Sequence, residues 1–182
     1  MNPTGSRMVQ LRGLEREDLE CRVRWLNDPA VQRTLSFDLP VSRAKTEKWF
    51  EKTLVQTDRR DLSVVLKPTN RLIGFAGLLN IDRLVGKAEA YVTIGETSEW
   101  GKGHATEAYC LLAEYAFIEL GLQRIYAYSL PENSGTRRIM EKLGWKHEAV
   151  LRRDVWSHGS VKDRLVFSLL KNEWMREGEP AS

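Results

Sequence analysis

Glu99-Trp100-Gly101-Lys102-Gly103-His104-Ala105-Thr106-Glu107-Ala108 stands between two different patterns. Before it, Ala88 to Ile94 alternates, with Glu89, Tyr91 and Thr93 on one face and Ala88, Ala90, Val92 and Ile94 on the other. That is the period of a strand with one buried face. After it, Gly103 to Leu120 is an apolar run crossed only by a narrow strip at Glu107 and Glu114. This predicts a mostly buried helix, closed by Gly121 as its C-terminal cap. Gly101 and Gly103 remove side chains where a ligand would approach the backbone. The first N–H groups of a helix have no partner within it, and the dipole favours anions there. A strand, a glycine turn and a helix N-terminus together suit a diphosphate. The same glycines also serve a plain tight turn, and Gly-x-Gly alone does not separate the two.

Outward from this segment, turn and cap signals divide the chain. Val9 to Arg12 reads as a strand and Asp18 to Leu26 as a helix stopped by Asn27-Asp28-Pro29. Ser42 caps a second helix carrying Trp49, Phe50 and Leu54. Leu62–Leu66 and Leu72–Leu79 are short apolar runs bounded by charge, Pro68 and Asn70, and read as strands. Arg124 to Ser129 is another strand. Asn133 or Ser134 then caps a helix to Leu143, closed by Gly144. Ala149–Trp156 and Val161–Leu170 flank His158-Gly159 as a hairpin. The fold class is α+β in a single domain over residues 8–176, with loose tails at 1–7 and 177–182.

The 182 residues suit one domain, and 42% apolar with 29% charged residues supports a packed core. A net charge of +3 is too slight for a nucleic-acid binder, which shows a basic stripe or patch. Cys21 and Cys110 form no metal or redox spacing, and His104, His147 and His158 have no ligand spacing, so no metal is expected. No run approaches the length of a membrane span and Met1 to Met8 is polar, so the expectation is a cytoplasmic protein with no membrane partner.

Trp100 to Ala108 resembles the coenzyme A diphosphate loop of the GNAT N-acetyltransferases, nearest to the branch that includes RimJ/RimL-type, spermidine and amino-sugar acetyltransferases. The pattern in that superfamily is Arg or Gln, two residues, Gly, one residue, then Gly or Ala. Gly103 and Ala105 match it, and Trp100 stands in the Arg or Gln place. The resemblance spans nearly the whole chain. Leu11-Arg12, Trp25 to Pro29, Leu72 to Phe75, Asn133 to Thr136, Glu141 to Trp145, Asp163 and Leu169 to Trp174 all fit in order. It implies a mixed central sheet with a splayed parallel pair, here Ala88–Ile94 and Arg124–Ser129, and acetyl-CoA as cosubstrate between them. On this resemblance the main chain near Val92 to Gly95, including Val92 and Ile94, holds the acetyl and pantetheine groups. Trp100, Gly101, Lys102, Gly103, His104, Ala105 and Thr106 form the diphosphate loop.

Asn133 has two roles open, bonding the pantetheine arm and capping its helix, and both can hold together. Thr136 occupies a serine position of the family, where a hydroxyl can meet the departing thiolate. Met140 stands where many relatives carry an acidic Tyr, and it cannot donate a proton. The attacking amine must be neutral, which asks for a base. Glu89 is the first candidate and Glu96 the second, against a plain solvated strand residue. Arg137, Arg138 and Lys142 read better as a solvated face than as partners of a CoA phosphate, with Arg137 and Glu141 spaced as an i,i+4 pair.

The acceptor wall is expected from the first two helices and the terminal hairpin, with Trp25, Phe37, Trp49, Phe50 and Trp156 as candidate walls or as core. The acceptor is a primary amine: a protein N-terminus, an amino sugar or another small molecule. The basic excess argues against a polycation. By analogy with relatives, the chain forms a homodimer. Two other functions stand beside transfer: a catalytically silent acetyl-CoA-binding protein, and a nucleotide-binding module. The module lacks Gly-Lys-Ser/Thr and the third glycine of Gly-x-Gly-x-x-Gly, because position 106 is Thr.

Overall fold

The structure is a computed structural model and describes residues 7–35 and 40–176. β1 (Val9–Gly13) leads through a 3-10 turn at Arg16–Asp18 into α1 (Leu19–Leu26), α2 (Pro29–Gln32) and α3 (Arg43–Leu54). β2 (Arg60–Leu66), β3 (Arg71–Asp82) and β4 (Lys87–Ile94) follow, then α4 (His104–Glu114). β5 (Arg124–Ser129), α5 (Ser134–Lys142), β6 (Lys146–Ser157), β7 (Ser160–Leu170) and α6 (Lys171–Arg176) complete the described chain. The expected tails lie outside the described residues save for Arg7, whose guanidinium is ion-paired with Glu114 at 2.7 Å.

The seven strands form one sheet in the order β1-β2-β3-β4-β5-β7-β6. Only β4 and β5 run parallel, and their pairing covers just Lys87↔Arg124, Ala88↔Ile125 and Glu89↔Tyr126. Beyond Glu89, β4 stays on β3 as far as Ile94, while β5 stays on β7 as far as Ser129. The sheet therefore opens between Ala90–Ile94 and Ala127–Ser129.

Local chemistry explains most of the elements. Ser42 accepts from the Lys45 N–H at 3.2 Å and starts α3. His158 and Gly159 both take positive φ, 51° and 74°, which is the twist a two-residue hairpin turn requires. In the expected stop at Asn27-Asp28-Pro29, Pro29 instead opens a helix: Asp28 accepts from the Ala30 N–H at 2.7 Å and Pro29 fills the first position, where no donor is needed.

The long helix also departs from expectation. It is α-helical only to Glu114, and Tyr115–Glu119 is a π-helical turn, with Leu120 N–H reaching the Tyr115 carbonyl at 3.1 Å. The wider turn keeps Ala116 and Phe117 fully buried and turns Ile118 outward. Its acidic strip has a use: the Glu107 carboxylate accepts from the Met8 and Val9 N–H groups at 2.8 and 3.1 Å, and so holds the start of β1. Ala108, Leu112, Ala113 and Phe117 pack into the core with Ile73, Leu78 and Ile125, and each large apolar side chain buried there stabilises by about 1.5–3 kcal/mol. Among the described residues, no helix is long and apolar enough to cross a membrane.

Candidate active site

The sheet opening leads into a cleft of about 1110 Å³, lined by β4, the loop before α4, the start of α5, the turn after α2 and the terminal hairpin. Its inner wall follows from strand register. Gly95 N–H reaches the Ile73 carbonyl at 3.0 Å, which makes that pair hydrogen-bonded across β3 and β4. Alternation in an antiparallel ladder then leaves Gly74↔Ile94, Ala76↔Val92 and Leu78↔Ala90 as non-bonded pairs. Ala90, Val92 and Ile94 thus turn their main-chain N–H and C=O groups toward β5, where the splay has removed the partner strand. Val92 and Ile94 were singled out in the sequence for this role, and their backbone polar groups face the cleft.

The loop is built as its glycines suggest. Gly101 and Gly103 sit at φ 77° and 87°, in the left-handed region that favours glycine. The Glu107 N–H makes its helical bond to the Gly103 carbonyl at 3.1 Å, so the N–H groups of His104, Ala105 and Thr106 have no acceptor within the helix. These four residues, with Trp100 and Gly101, line the cleft. Trp100 reaches back across the loop, and its indole N–H donates to the Ile94 carbonyl at 2.7 Å. Lys102 is turned the other way, its ammonium 3.0 Å from Glu99, and does not line the cleft.

Glu99 is a residue that the sequence did not single out. It is buried, yet its carboxylate accepts from Arg71, from Lys102 and, at 3.2 Å, from His104 Nε2. The Lys102 hydrogen bond, with Arg71, holds its pKa below the usual carboxylate value. An ionised carboxylate only accepts, so His104 carries its proton on Nε2, and its buried Nδ1 is left without a partner.

The opposite wall brings in Asn133 and Thr136. Asn133 Oδ1 accepts from the Thr136 N–H at 3.0 Å, so it does cap α5, and both residues also line the cleft. Arg138 and Lys142, read from the sequence as a solvated face, line the cleft as well. Arg137 does not; it donates to the Pro131 carbonyl at 3.4 Å instead of meeting Glu141.

Three carboxylates border the cleft: Glu89, Glu99 and Glu132. Glu99 is saturated with donors, and Glu132 is ion-paired to Lys162. Glu89 accepts one hydrogen bond, from Asn80 Nδ2 at 3.1 Å. Burial raises its pKa, and the positive charge of Arg164 opposes that only in part. Glu96, the second candidate, pairs with Arg24 at 3.8 Å and is not in the lining.

Arg33, Thr34 and Leu35 face His158, Lys162 and Arg164 across the outer mouth. His158 Nε2 donates to the Gln32 carbonyl at 3.1 Å, which ties the hairpin turn to the end of α2. The aromatic residues expected as walls are elsewhere. Trp25 and Phe50 are buried, Trp25 edge-on to Phe75 at 5.4 Å. Trp49 is stacked by Arg22 and Arg59, with guanidinium carbons 4.2 and 5.1 Å from its ring. Trp156 is 67% exposed on the hairpin, and Phe37 lies outside the described residues. Tyr128, with Arg164 over its ring at 4.0 Å, and Tyr109 are the aromatic side chains at the inner cleft that the sequence did not single out.

Residues 9–146 match the family model of the acetyltransferase (GNAT) domain. The chain belongs to the GNAT acetyltransferase family. An uncharacterized N-acetyltransferase of Bacillus licheniformis is 32% identical over 169 residues, covering 91% of this chain and 94% of the relative. Spermidine N(1)-acetyltransferase of Escherichia coli (strain K12) is 25% identical over 169 residues, covering 93% and 89%. The fold matches the crystal structure of spermidine N-acetyltransferase from Vibrio cholerae in complex with CoA and spermine with a TM-score of 0.87, at 24% identity over 93% of this chain and 99% of that one. Among its described residues, no group of three or more His, Cys, Asp and Glu side chains is placed to hold a metal ion.

Proposed function

We propose that this enzyme moves an acetyl group from acetyl-CoA to a primary amine by direct attack in a ternary complex, and that it stands in the RimJ/RimL-like branch. The observation that carries this is one cleft with two features: main-chain groups of Ala90, Val92 and Ile94 turned toward the strand opening, and the free helix N-terminus at His104–Thr106. The first suits the amides of a pantetheine arm, the second its diphosphate. Asn133, Arg138 and Lys142 line the same cleft, where the amide of Asn133 would bond the arm and the two cations would meet the phosphates. The bound thioester supplies an electrophilic carbonyl carbon and a good leaving group.

Glu89 takes the proton of the incoming ammonium, directly or through one water, and its raised pKa brings its basicity closer to that task. The amine nitrogen then bonds to the carbonyl carbon, the carbon–sulfur bond breaks with the electron pair leaving on sulfur, and the second proton shed by the nitrogen passes to that thiolate, directly or through water. Thr136 offers a hydroxyl for that thiolate. At the outer mouth Lys162 is ion-paired with Glu132 and Arg164 with Asp154, so among the described residues no cluster of free carboxylates is offered there to a polyamine. A protein N-terminus, an amino sugar or another small amine is the acceptor class this wall fits.

Thermal unfolding with acetyl-CoA, beside ATP and NAD, is the direct test. A ligand at about 100 times its dissociation constant adds about 2.7 kcal/mol, a rise of several degrees in a domain of this size. A shift with acetyl-CoA alone supports the assignment and leads to an amine panel read by thiol release. An equal shift with ATP or NAD, or none at all, refutes it.

A further inference from the structure

Tyr109 is the side chain of α4 that reaches the opening between β4 and β5. It lines the cleft although it is only 5% exposed, and its ring is held edge-on to Trp145 with centroids 5.8 Å apart. Its hydroxyl meets the Val92 main chain. Register turns the Val92 N–H toward this same space. Among the described residues no carbonyl or carboxylate takes the phenol proton. The hydroxyl therefore keeps its own donor for whatever enters the splay. Glu89 on β4 and Arg164 on β7 also line the cleft, and burial raises the Tyr109 pKa, so the phenol is protonated at neutral pH.

We infer that Tyr109 is a catalytic residue whose O–H donates to the thioester carbonyl oxygen of bound acetyl-CoA. This rests on the acetyl-CoA reading above. As the amine nitrogen forms its bond to carbon, the carbonyl electron pair moves onto oxygen and the phenol hydrogen bond strengthens. When that pair returns, the carbon–sulfur bond breaks and the thiolate leaves. The phenol proton does not transfer at any stage. A donor aimed at developing negative charge in a water-poor site contributes far more in the transition state than in the ground state.

The test uses acetyl-CoA labelled with carbon-13 at the carbonyl, bound to the full chain and observed by NMR, in the parent and in Tyr109→Phe. Phe keeps the ring against Trp145 and removes only the hydroxyl. The expected result is a carbonyl resonance displaced downfield in the parent and returned toward the free value in Tyr109→Phe, with acetyl-CoA affinity kept within about threefold. Turnover with any amine from the panel falls about 100-fold, the usual effect of losing one such donor. Incorporating 3-fluorotyrosine, a stronger donor of the same shape, moves the resonance further downfield and serves if the Phe variant does not fold. An identical resonance in all forms, with acetyl-CoA bound, overturns the Tyr109 assignment alone. Failure of the parent to bind acetyl-CoA overturns the acetyl-CoA reading and this one together.

Discussion

Gly95, at the end of β4, makes the sharpest test of how the cleft wall is held. A Cβ built there would lie no more than 2.5 Å from three carbons of the Trp25 indole, against an ordinary carbon contact of about 3.5–4.0 Å. Trp25 cannot yield easily, since it is buried against Phe75, and Gly95 is tied by its N–H to Ile73. Gly95→Ala therefore forces α1 and the strand end apart by roughly 1 Å, an overpacking change that costs about 1–3 kcal/mol. For a chain of this size that lowers Tm by about 2–4 °C per kcal/mol, so a fall of about 6 °C is expected in calorimetry. Trp25→Leu alone also destabilises, through the cavity it leaves. The double variant decides the matter, because Leu makes room for the new methyl. A coupling of at least about 1 kcal/mol, with the double variant more stable than the sum of the singles predicts, is the expected outcome. Simple additivity would refute the claim that Trp25 is what requires glycine at this position.

Three further outcomes follow from the site and its surroundings. Glu89→Gln should lower turnover with acetyl-CoA binding intact, and in the parent the acidic limb of kcat/KM for the amine should lie above the usual carboxylate range, because burial raises that pKa. The same raised pKa means the parent loses stability as pH rises through it, so Glu89→Gln should unfold slightly later than the parent at neutral pH; an earlier unfolding would contradict the burial cause. Trp100→Phe removes the donor to the Ile94 carbonyl and should raise KM for acetyl-CoA about fivefold, equivalent to about 1 kcal/mol, with kcat at saturation unchanged. Glu148 is held down to about 2 by its bidentate bond to Arg124 at 2.5 and 2.6 Å, helped by Ser168. Its stabilising effect is present above the ordinary carboxylate range and lost as pH falls toward 2, so Glu148→Gln should flatten acid unfolding there. The partly exposed pair limits this to about 1 kcal/mol or less, and an unchanged acid profile would show that it contributes nothing.

What could be read from the sequence is what is decided within a few residues. The Ser42 and Asn133 caps, the His158-Gly159 turn and the positive φ at Gly101 and Gly103 each follow from one side chain or its absence. β4 was legible from alternation, because one of its faces is pressed on α4. Signals at the same range also misled. Pro29 was read as a stop because a proline cannot continue a helix, yet with Asp28 capping it suits the first turn of a new one. The apolar run through Leu120 gave no sign of the π turn, since a single shifted hydrogen bond leaves the composition unchanged.

The side-chain partners that shape the cleft are set across long stretches of chain, where no local period reports them. Tyr91 shows why. Registers Asp61↔Gly77 and Gly77↔Tyr91 place the three residues in line across β2, β3 and β4. The missing side chain at Gly77 lets the Tyr91 ring lie over β3, and its hydroxyl donates to Asp61 at 2.6 Å. Tyr91 thus borders the cleft while its phenol points away from it, toward Asp61 and the Arg59 that pairs with that carboxylate at 2.5 Å. Tyr109 has the reverse arrangement, reaching the opening from the helix beneath. Two tyrosines that border one cleft are therefore divided by the elements that carry them, one locked by strand register into the structure of the sheet and one left with a proton to donate at the point where the strands part.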